Sequence, residues 1–329
     1  MGTLHIHFTA EDVSRTRLAT GPDPLWEIVC SLHRLQTRRG YADFADWHRQ
    51  ARLDVNRTGL TETVRRRLLP IAPLTSYFPD FLTPGPVTDP GHGIDLVLAT
   101  GRPRLREEIG RLTGGPGTDA WLDDLAAGRT PALHELGTSL RRYFDTAIAP
   151  YWSEISAAVS DDRALRGAKV LTAGAGQLLD DLGPDTRWDP PVLSIHPYPR
   201  ERHFELGGRG IVLIPSYFCW HAPIALADPE LPPTLVYPAR RQRGEPPPVR
   251  RRDLGPLIGH TRLAVLRSAV PGATTSELAR RVGISLGTAS HHTSVLRESG
   301  LIESRRHGNL MLHRITELGD ALLDGTPEH

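Results

Sequence analysis

The sequence predicts an α+β fold in two domains, and three patterns within its 329 residues support this prediction. Apolar side chains recur at helical spacing through most of residues 12–182. Short apolar runs separated by Pro and Gly follow at 192–237, which is typical of a small antiparallel sheet. After a proline-rich segment, residues 274–315 combine two short capped helices with a β-hairpin. We therefore expect a mostly helical N-terminal domain with a small antiparallel sheet, followed by a small C-terminal domain.

The composition is that of an ordinary globular protein, with 39% hydrophobic and 23% charged residues. The formal net charge is +1, so any basic surface must be local. Cys30 and Cys219 are too few for a disulfide framework or a cysteine-rich zinc site. No apolar run reaches the ~18 to 20 residues of a membrane span, and residues 1–10 lack the features of a signal peptide. We expect no membrane association and a cytoplasmic location.

Helical periodicity accounts for most of the first domain. Before it, residues 4–8 alternate apolar side chains with His5 and His7, which predicts an opening strand. The helices then begin behind capping residues or a first-turn proline. They are expected over residues 12–18, 24–37, 43–52, 61–69, 103–112, 120–127, 130–162 and 164–182. Pro150 should kink the longest of them.

The predicted sheet and the domain boundary come next. The apolar runs that suggest strands are residues 192–195, 204–206, 210–214 and 234–237. Residues 239–252 read ARRQRGEPPPVRRR, and a segment so rich in proline tends to a stiff extended form instead of joining a core. We expect domains at 1–238 and 253–329 with this segment as a linker. Its six arginines either contact phosphates or only keep the linker soluble.

The first helix of the C-terminal domain is bounded by two local signals. Thr274 and Glu277 have the spacing of a capping box, in which each side chain bonds the other residue's backbone N–H. Leu278, Ala279 and Val282 then form an apolar stripe, and Gly283 stands where a left-handed residue ends a helix. This helix is short, and the chain turns directly into a second one.

The second helix is expected over Leu286–Ser299, with Ser285 as its N-cap and Gly300 as its end. The small and apolar side chains of Ala289, Thr293 and Leu296 share the face that should pack on the first helix. The opposite face is then free. It carries Leu286, Gly287, Ser290, His291 and Ser294. Short side chains near the start of such a helix fit the major groove of DNA.

A β-hairpin should follow, because residues 301–305 and 310–315 are β-prone and flank a turn at residues 306–309. Thr316 is expected to cap a last short helix, Glu317–Leu323. Two helices and a hairpin in this order predict a winged helix-turn-helix that binds double-stranded DNA. The candidate DNA-binding residues are Thr275, Ser276, Ser285, Leu286, Gly287, Thr288, Ser290, His291, Ser294, Arg305, Arg306, His307 and Asn309.

These motifs resemble the winged-helix domain of the ArsR/SmtB-type bacterial repressors. The resemblance covers about the last 75 residues and lies in the runs His260–Leu263, Ser285–Leu296 and Val295–Leu301. It implies a DNA-binding transcriptional regulator, most simply a repressor. The whole chain resembles actinobacterial regulators in which an uncharacterised N-terminal domain precedes such a domain. The runs that carry this wider similarity are 26–27, 79–82, 211–216 and 233–239.

Metal binding is not expected. Repressors of the resembled family often sense metals through cysteines on the first helix of the motif, where this chain has Thr274, Thr275, Ser276, Leu278 and Ala279. A second group of possible ligands lies in the sheet region, where Cys219 and His221 would share one face of a strand. It consists of His196, His203, Cys219 and His221, and their spacing does not require a zinc site. We expect no metal and no cofactor.

The first domain is larger than a winged helix needs, so we expect it to bind a small organic effector in an apolar pocket. The candidate pocket walls are Trp26, Tyr77, Phe78, Phe81, Trp152 and Trp220. We also expect a homodimer, because one recognition helix covers too few base pairs for useful specificity. Its interface should use the first domain or residues 253–262.

No catalytic signature is present, so we do not expect an enzyme. The glycine runs 174–176 and 207–210 lack the context of a phosphate-binding loop. Two other classes stay open. One is an enzyme that acts on a small molecule and carries a regulatory or targeting winged helix, and the other is a protein-binding adaptor whose winged helix makes only protein contacts.

Overall fold

The structure is a computed structural model. It describes residues 2–37, 40–75, 77–113, 119–198, 200–225, 231–240, 258–269, 272–307, 310–316, 318–319 and 322. The chain divides into two compact units, Met1–Gln242 and Arg243–His329. Apart from Ala239 and Arg240, the expected linker lies outside the described residues. The mixed α+β class is confirmed. Within the described ranges, no helix combines the length and apolarity that a bilayer crossing requires.

Nine helices can be followed through the described part of the first unit. They are α1 (Ala10–Arg15), α2 (Pro24–Gln36), α3 (Ala45–Arg57), α4 (residues 61–71), α5 (Pro90–Leu98), α6 (Arg102–Thr113), α7 (Ala120–Ala126), α8 (Thr130–Tyr143) and α9 (Trp152–Ala173). Single 3₁₀ turns occupy Tyr41–Phe44, Asp80–Leu82, Ala149–Tyr151 and Ala175–Leu178. Two π-helical turns, Val64–Leu68 and Phe144–Ile148, interrupt the helical segments.

Helix α2 is the centre of this unit. Asp23 caps it by accepting from the backbone N–H of Leu25 at 3.0 Å and of Trp26 at 3.2 Å. Every residue from Pro24 to Arg34 is buried, so the helix is surrounded by other elements. The apolar side chains of α2 belong to the main hydrophobic core of the unit, which α3 to α9 share. The prediction that this helix docks on the core is confirmed.

Three helical predictions need correction. The 12–18 helix ends at Arg15, because the chain then becomes extended and Arg17–Leu18 form a short strand. The 130–162 helix does not simply kink at Pro150: a π-helical turn and a 3₁₀ turn separate α8 from α9. Helix α9 then continues through residue 163 to Ala173, so the separate helix at 164–182 is wrong. The polar residues around Asp162 do not end the helix. Asp162 lies within α9, where it is buried and has hydrogen-bond partners. It accepts from Arg166 Nε at 3.0 Å and from the hydroxyl of Tyr237 at 2.5 Å.

Helix α5 is absent from the sequence-based prediction. Asp89 caps it by accepting from the N–H of His92 at 2.6 Å. Gly91 and Gly93 lower the helical propensity of this segment, which explains why the pattern was not evident. Gly93 allows close packing, since a Cβ there would lie 2.9 Å from Val87 Cγ2 and 3.1 Å from Leu25 Cγ and would force these side chains to shift.

The first unit contains two four-stranded sheets where one small antiparallel sheet was predicted. Their strands are β1 (Gly2–His7), β2 (Arg17–Leu18), β3 (Thr186–Asp189), β4 (Val192–Tyr198), β5 (Arg202–Glu205), β6 (Val212–Ser216), β7 (Ile224–Ala225) and β8 (Thr234–Pro238). One sheet has the order β3-β4-β1-β5, and the other has the order β2-β6-β8-β7. Antiparallel pairs are present as predicted. However, β1 pairs with β5 in parallel, as β6 does with β2 and β8.

The two capped helices and the β-hairpin of the second unit occur in the predicted order, and the structure adds a preceding helix and a short strand. Its helices are α10 (His260–Ser268), α11 (Thr275–Val282) and α12 (Leu286–Glu298), and its strands are β9 (Ala273–Thr274), β10 (Ile302–His307) and β11 (Leu310–Ile315). The strands form an antiparallel sheet in the order β10-β11-β9. Thr316 accepts from the N–H of Gly319 at 3.1 Å, as expected of a cap. Most of the predicted final helix lies outside the described residues.

Candidate nucleic-acid interface

The start and the end of α11 are fixed by the predicted signals. Thr274 N–H donates to Glu277 Oε2 at 2.8 Å, and Glu277 N–H donates to Thr274 Oγ1 at 3.3 Å, which completes the capping box. Gly283 adopts the left-handed conformation with φ 71° and ends the helix. The N–H of Ile284 then donates to Ala279 O at 3.0 Å, so the turn into α12 is tight.

Helix α12 begins at its predicted cap, because Ser285 Oγ accepts from the N–H of Thr288 at 3.1 Å. One face of this helix is buried as predicted, through Ala289, Thr293 and Leu296. Leu296 joins a hydrophobic core to which α10, α11 and β10 also contribute. Packing therefore fixes which face of α12 is turned to solvent.

The solvent face of α12 holds most of the candidate residues. Ser285, Leu286, Gly287, Thr288, Ser290 and His291 are exposed. Ser294 is half-buried, and its hydroxyl donates to Glu298 Oε1 at 3.1 Å and accepts from Arg297 Nη2 at 3.3 Å. The structure thus gathers six of the seven candidates on this helix and its cap into one accessible surface, with Ser294 at its margin.

The two candidates on α11 have different surroundings. Ser276 is exposed, but Thr275 is half-buried and its hydroxyl lies 2.9 Å from His313 Nε2. His313 is buried on β11, and its Nδ1 lies 2.8 Å from Ser304 Oγ on β10. Burial lowers the pKa of His313, and Arg297 nearby adds to this effect. Thr275 therefore bonds to the hairpin, a contact that the sequence did not reveal.

The hairpin differs from the prediction at its tip. Strand β10 continues through Arg306 and His307, whose backbones pair with Met311 and Leu310, so these two residues do not form the predicted turn. The antiparallel register of the two strands is unbroken as far as His307 and Leu310. The side chains of Arg305, Arg306 and His307, and the whole of Asn309, lie outside the described part of the structure.

The second unit also exposes arginines at positions that were not among the sequence-based candidates. From residue 250 to residue 329 there are eleven arginines against eight Asp and Glu. Arg280, Arg297 and Arg314 are exposed. The apolar stripe of α11 could have predicted that Arg280 is exposed, because this residue follows Leu278 and Ala279, which form the buried side of the helix.

The six candidate pocket residues do not surround a common cavity. Trp26 and Phe81 are at most 1% exposed. Trp26 packs edge-on against Phe78 with ring centroids 5.8 Å apart. The N–H of Phe81 donates to Glu108 Oε2 at 2.7 Å. These three aromatic residues therefore fill the core.

The other three pocket candidates are half-buried and have partners of their own. Tyr77 has the Arg111 guanidinium over its ring at 5.9 Å. Trp152 packs edge-on against Phe144 at 5.4 Å. Trp220 Nε1 donates to Asp43 Oδ2 at 2.9 Å. Each is held by a specific neighbour, and packing is their visible role.

A cavity does lie beside α2, but it is small. Its volume is about 10 Å³, which is close to the minimum for a single water molecule. It is lined by Leu25, Ile28, Val29, Leu32, Ile71, Ala72, Leu82 and Leu140. None of the six aromatic candidates is among these lining residues, and small-molecule pockets are typically at least about 300 Å³.

The four possible metal ligands considered from the sequence each have other partners. His196 Nδ1 lies 3.1 Å from Gly2 O, and His221 Nδ1 lies 3.5 Å from Asp185 Oδ2. Cys219 is a buried free cysteine, and its thiol donates to Ala222 O at 3.6 Å. His221 has φ 70°, and residues 219–221 do not form the expected strand. The shared strand face proposed for Cys219 and His221 is wrong, because the chain turns there.

Comparison with known proteins finds a matching family model within the second unit. A family model of a helix-turn-helix domain matches residues 260–305, from the first residue of α10 into β10. Comparisons with curated proteins and with solved structures gave no significant match. The matched segment contains the capping box, the glycine turn and α12. The chain therefore carries a helix-turn-helix domain of the kind that DNA-binding regulators use.

Proposed function

We propose that the protein is a transcriptional regulator that binds duplex DNA by placing α12 in the major groove. The observation that supports this best is the solvent face of α12, where Leu286, Gly287, Ser290 and His291 are exposed while the opposite face is buried. Small and polar side chains in the first turns of such a helix are those that reach base edges. We propose no catalytic role for the chain.

Electrostatics supports DNA over a protein partner. The N-terminal end of α12 carries the positive end of the helix dipole, which favours a nearby phosphate. Exposed Arg280, Arg297 and Arg314 lie in the same unit. Leu286 is the one large apolar side chain exposed on the described α12, at 56%. A contiguous exposed apolar patch would instead mark a protein-binding face.

The finer assignment is part of the same proposal. The resemblance to the ArsR/SmtB-type repressors favours repression over activation. A homodimer would let two copies of α12 read paired half-sites about one helical turn apart. Its interface would come from the first unit or from residues 253–262, because the described end of the chain offers little apolar surface beyond Leu318 and Leu322.

Control by a small organic effector bound in the first unit would require the core around α2 to open. The cavity beside α2 has a volume of about 10 Å³, far below that of usual ligand pockets. A ligand bound at this place would have to separate Leu25, Leu32 and Leu140. Effector binding should therefore change the protection of α2 amides in hydrogen exchange.

The proposed function is tested by gel shifts of the full-length chain with genomic fragments and random DNA. We expect specific binding, and Ser290→Ala or His291→Ala should relax discrimination between sites with little loss of affinity for random DNA. His134→Ala, an exposed change on α8, is the matched control. Binding no tighter to any fragment than to random DNA at low salt would rule the proposal out.

A further inference from the structure

Two histidines and a glutamate meet on the outer face of the first sheet. His5 on β1 and His203 on β5 stand opposite each other in the parallel register of these strands. Glu201 precedes β5, and its Oε1 lies 3.0 Å from His5 Nε2. One ligand atom from each of the three side chains lies within 4.8 Å of the other two. The three positions are therefore close enough to hold one ion.

The remaining polar atom of each side chain is bound by a different neighbour. His5 Nδ1 lies 3.1 Å from Ser194 Oγ. His203 Nδ1 lies 3.0 Å from His7 Nε2. Glu201 Oε2 accepts from the backbone N–H of Thr3 at 2.9 Å. Metal-binding histidines and carboxylates are usually oriented by such outer hydrogen bonds, which leave the other atom for the ion.

The sheet itself explains why these side chains are held in place. Leu4 and Ile6 alternate with the histidines of β1 and are each only 1% exposed, so they anchor the strand on the core. Ser194 stands opposite His5 on the neighbouring strand β4. His5 therefore has a paired strand on each side. Backbone pairing, and not a mobile loop, sets the distance between His5 and His203.

We propose that His5, Glu201 and His203 bind a divalent first-row transition-metal ion, for which Zn²⁺ is the probe. Two imidazole nitrogens and one carboxylate oxygen are ligands that Zn²⁺ accepts. Bonds of about 2.0–2.1 Å in a tetrahedron place ligand atoms about 3.4 Å apart. His5 Nε2 and Glu201 Oε1 already lie 3.0 Å apart. The His5 and His203 rings are stacked with centroids 4.9 Å apart, so rotation of these rings has to bring the His203 nitrogen closer by about an ångström or a little more.

Three protein ligands leave one position of a tetrahedral ion for water or another small ligand. Access needs no opening of the fold, because the Glu201 side chain is 58% exposed. This site differs from the group of possible metal ligands considered from the sequence, and His203 is the one residue that the two have in common. Its ligands are separated by up to 198 residues, so only the pairing of β1 with β5 brings them together.

The alternative is a hydrogen-bonded network without an ion. Imidazole and carboxylate groups bond each other on many protein surfaces, and His7 Nε2 also lies 3.9 Å from Glu205 Oε1. The two possibilities predict different behaviour on titration with Zn²⁺. A network has no saturable affinity, whereas a site binds one equivalent and loses it when one ligand is changed.

The test is calorimetric titration of Zn²⁺ into the full-length chain, without a histidine tag and after treatment with a chelator. We expect one saturable equivalent, weakened at least tenfold by Glu201→Gln and by His203→Asn. Ser194→Ala should weaken binding about tenfold, since outer hydrogen bonds typically contribute 10- to 100-fold. His92→Asn and His134→Asn, both exposed and on helices of the same unit, are matched controls and should bind as the unchanged chain does.

Thermal unfolding gives an independent readout. Zn²⁺ at a hundred times its Kd should raise the Tm of the unchanged chain by several degrees, roughly 5 °C or more, and should leave the Tm of Glu201→Gln nearly unchanged. Circular dichroism checks that each variant is folded. Absence of a saturable equivalent, or one retained by both Glu201→Gln and His203→Asn, would overturn the proposal. These outcomes are independent of DNA binding.

Discussion

His313 and Thr275 join the β-hairpin of the second unit to the first turn of α11. His313 Nε2 lies 2.9 Å from the Thr275 hydroxyl, and its Nδ1 lies 2.8 Å from the Ser304 hydroxyl. Both ring nitrogens of this buried side chain are therefore used. A single residue of β11 thus links the hairpin to the helix that supports α12.

Replacing His313 by phenylalanine keeps an aromatic ring but removes both hydrogen bonds. We expect a loss of about 1–3 kcal/mol in the free energy of unfolding, because two partly buried hydroxyls lose their partners. Affinity for DNA should fall as well, since the hairpin keeps its pairing with β9 but loses its side-chain link to α11. Urea unfolding and gel shifts measure the two effects. Met311→Ala, at an exposed position of the same strand, is the control, and equal stability of His313→Phe and the unchanged chain would contradict the expectation.

Two substitutions of Ser285 can separate the stability of the fold from the contact with DNA. Its hydroxyl caps α12, and the side chain is exposed at the proposed interface. Ser285→Ala should cost about 1 kcal/mol of stability through loss of the cap. Ser285→Asp preserves a capping oxygen but adds a negative charge next to phosphates.

We therefore expect Ser285→Asp to be about as stable as the unchanged chain and to bind DNA at least tenfold more weakly. Urea unfolding and gel shifts at one salt concentration test this pair of variants. If Ser285→Asp binds DNA as tightly as the unchanged chain, the start of α12 does not face the phosphates.

The local signals of the second unit were sufficient to predict most of it. Thr274, Glu277 and Gly283 act within a few residues of one another, so their capping and turn geometry follow from sequence spacing. The hairpin tip was placed less well, because strand pairing through His307 depends on the partner strand. The contact between Thr275 and His313 spans 38 residues, and no local pattern specifies it.

The first unit was less predictable, because more of its structure depends on contacts between residues that are distant in the sequence. Gly91 and Gly93 concealed α5, and Gly93 lies where an added Cβ would crowd Val87 and Leu25. The parallel pairing of β1 with β5 joins residues almost 200 positions apart, and alternation of apolar residues does not reveal a strand's partner. Aromatic residues such as Trp26 were proposed as pocket walls, but their ring geometry shows core packing.

Salt dependence distinguishes phosphate contacts from base contacts. Arg305 and Arg306 lie in β10, and Arg314 is exposed on the paired strand β11. Each arginine that contacts a phosphate should contribute about 0.9 to the slope of log affinity against log salt concentration. We expect the Arg305→Ala, Arg306→Ala and Arg314→Ala chains to lose up to that slope and to bind all sequences more weakly.

Filter binding of one operator fragment from 50 to 300 mM salt measures the slopes. Arg65→Ala is a suitable control, because this exposed arginine of α4 is paired with Glu62 in the first unit. Unchanged slopes in all three variants of the second unit would show that its hairpin does not lie against the DNA backbone.

A homodimer is expected from the way a single α12 would read DNA. Light scattering at micromolar concentration should give twice the chain mass of 36.3 kDa, with and without operator DNA. The expected interface lies in the first unit or in residues 253–262, so a truncated chain beginning at residue 263 should be monomeric. One chain's mass under both conditions would contradict this prediction.

His33 should make stability depend on pH. It is buried on α2 and is 5% exposed. Burial lowers its pKa to about 4, and Arg34 adds to this effect. An unfolded chain takes up the proton near pH 6.5. Between pH 6.5 and pH 4 the unfolded state therefore binds more protons, and stability falls as the pH falls through this range.

Asp23 and Glu27 on the same helix act in the opposite direction. Burial raises the pKa of each carboxyl to about 7, so their contribution to stability falls as the pH rises from about 4 towards 7. The pH profile of the unchanged chain thus combines opposing effects. His33 is isolated by comparing the chain with a His33→Gln variant at each pH.

The difference in unfolding free energy between the unchanged chain and His33→Gln should shrink by about 2 kcal/mol between pH 7.5 and pH 5. The reason is that the unchanged chain has an imidazole at position 33 that must stay neutral in the folded state, whereas the variant has none. Urea unfolding at both pH values provides the measurement, and His134→Gln, at an exposed position, should show no such change. A difference that stays constant over this range would mean that His33 can take up a proton without leaving the core.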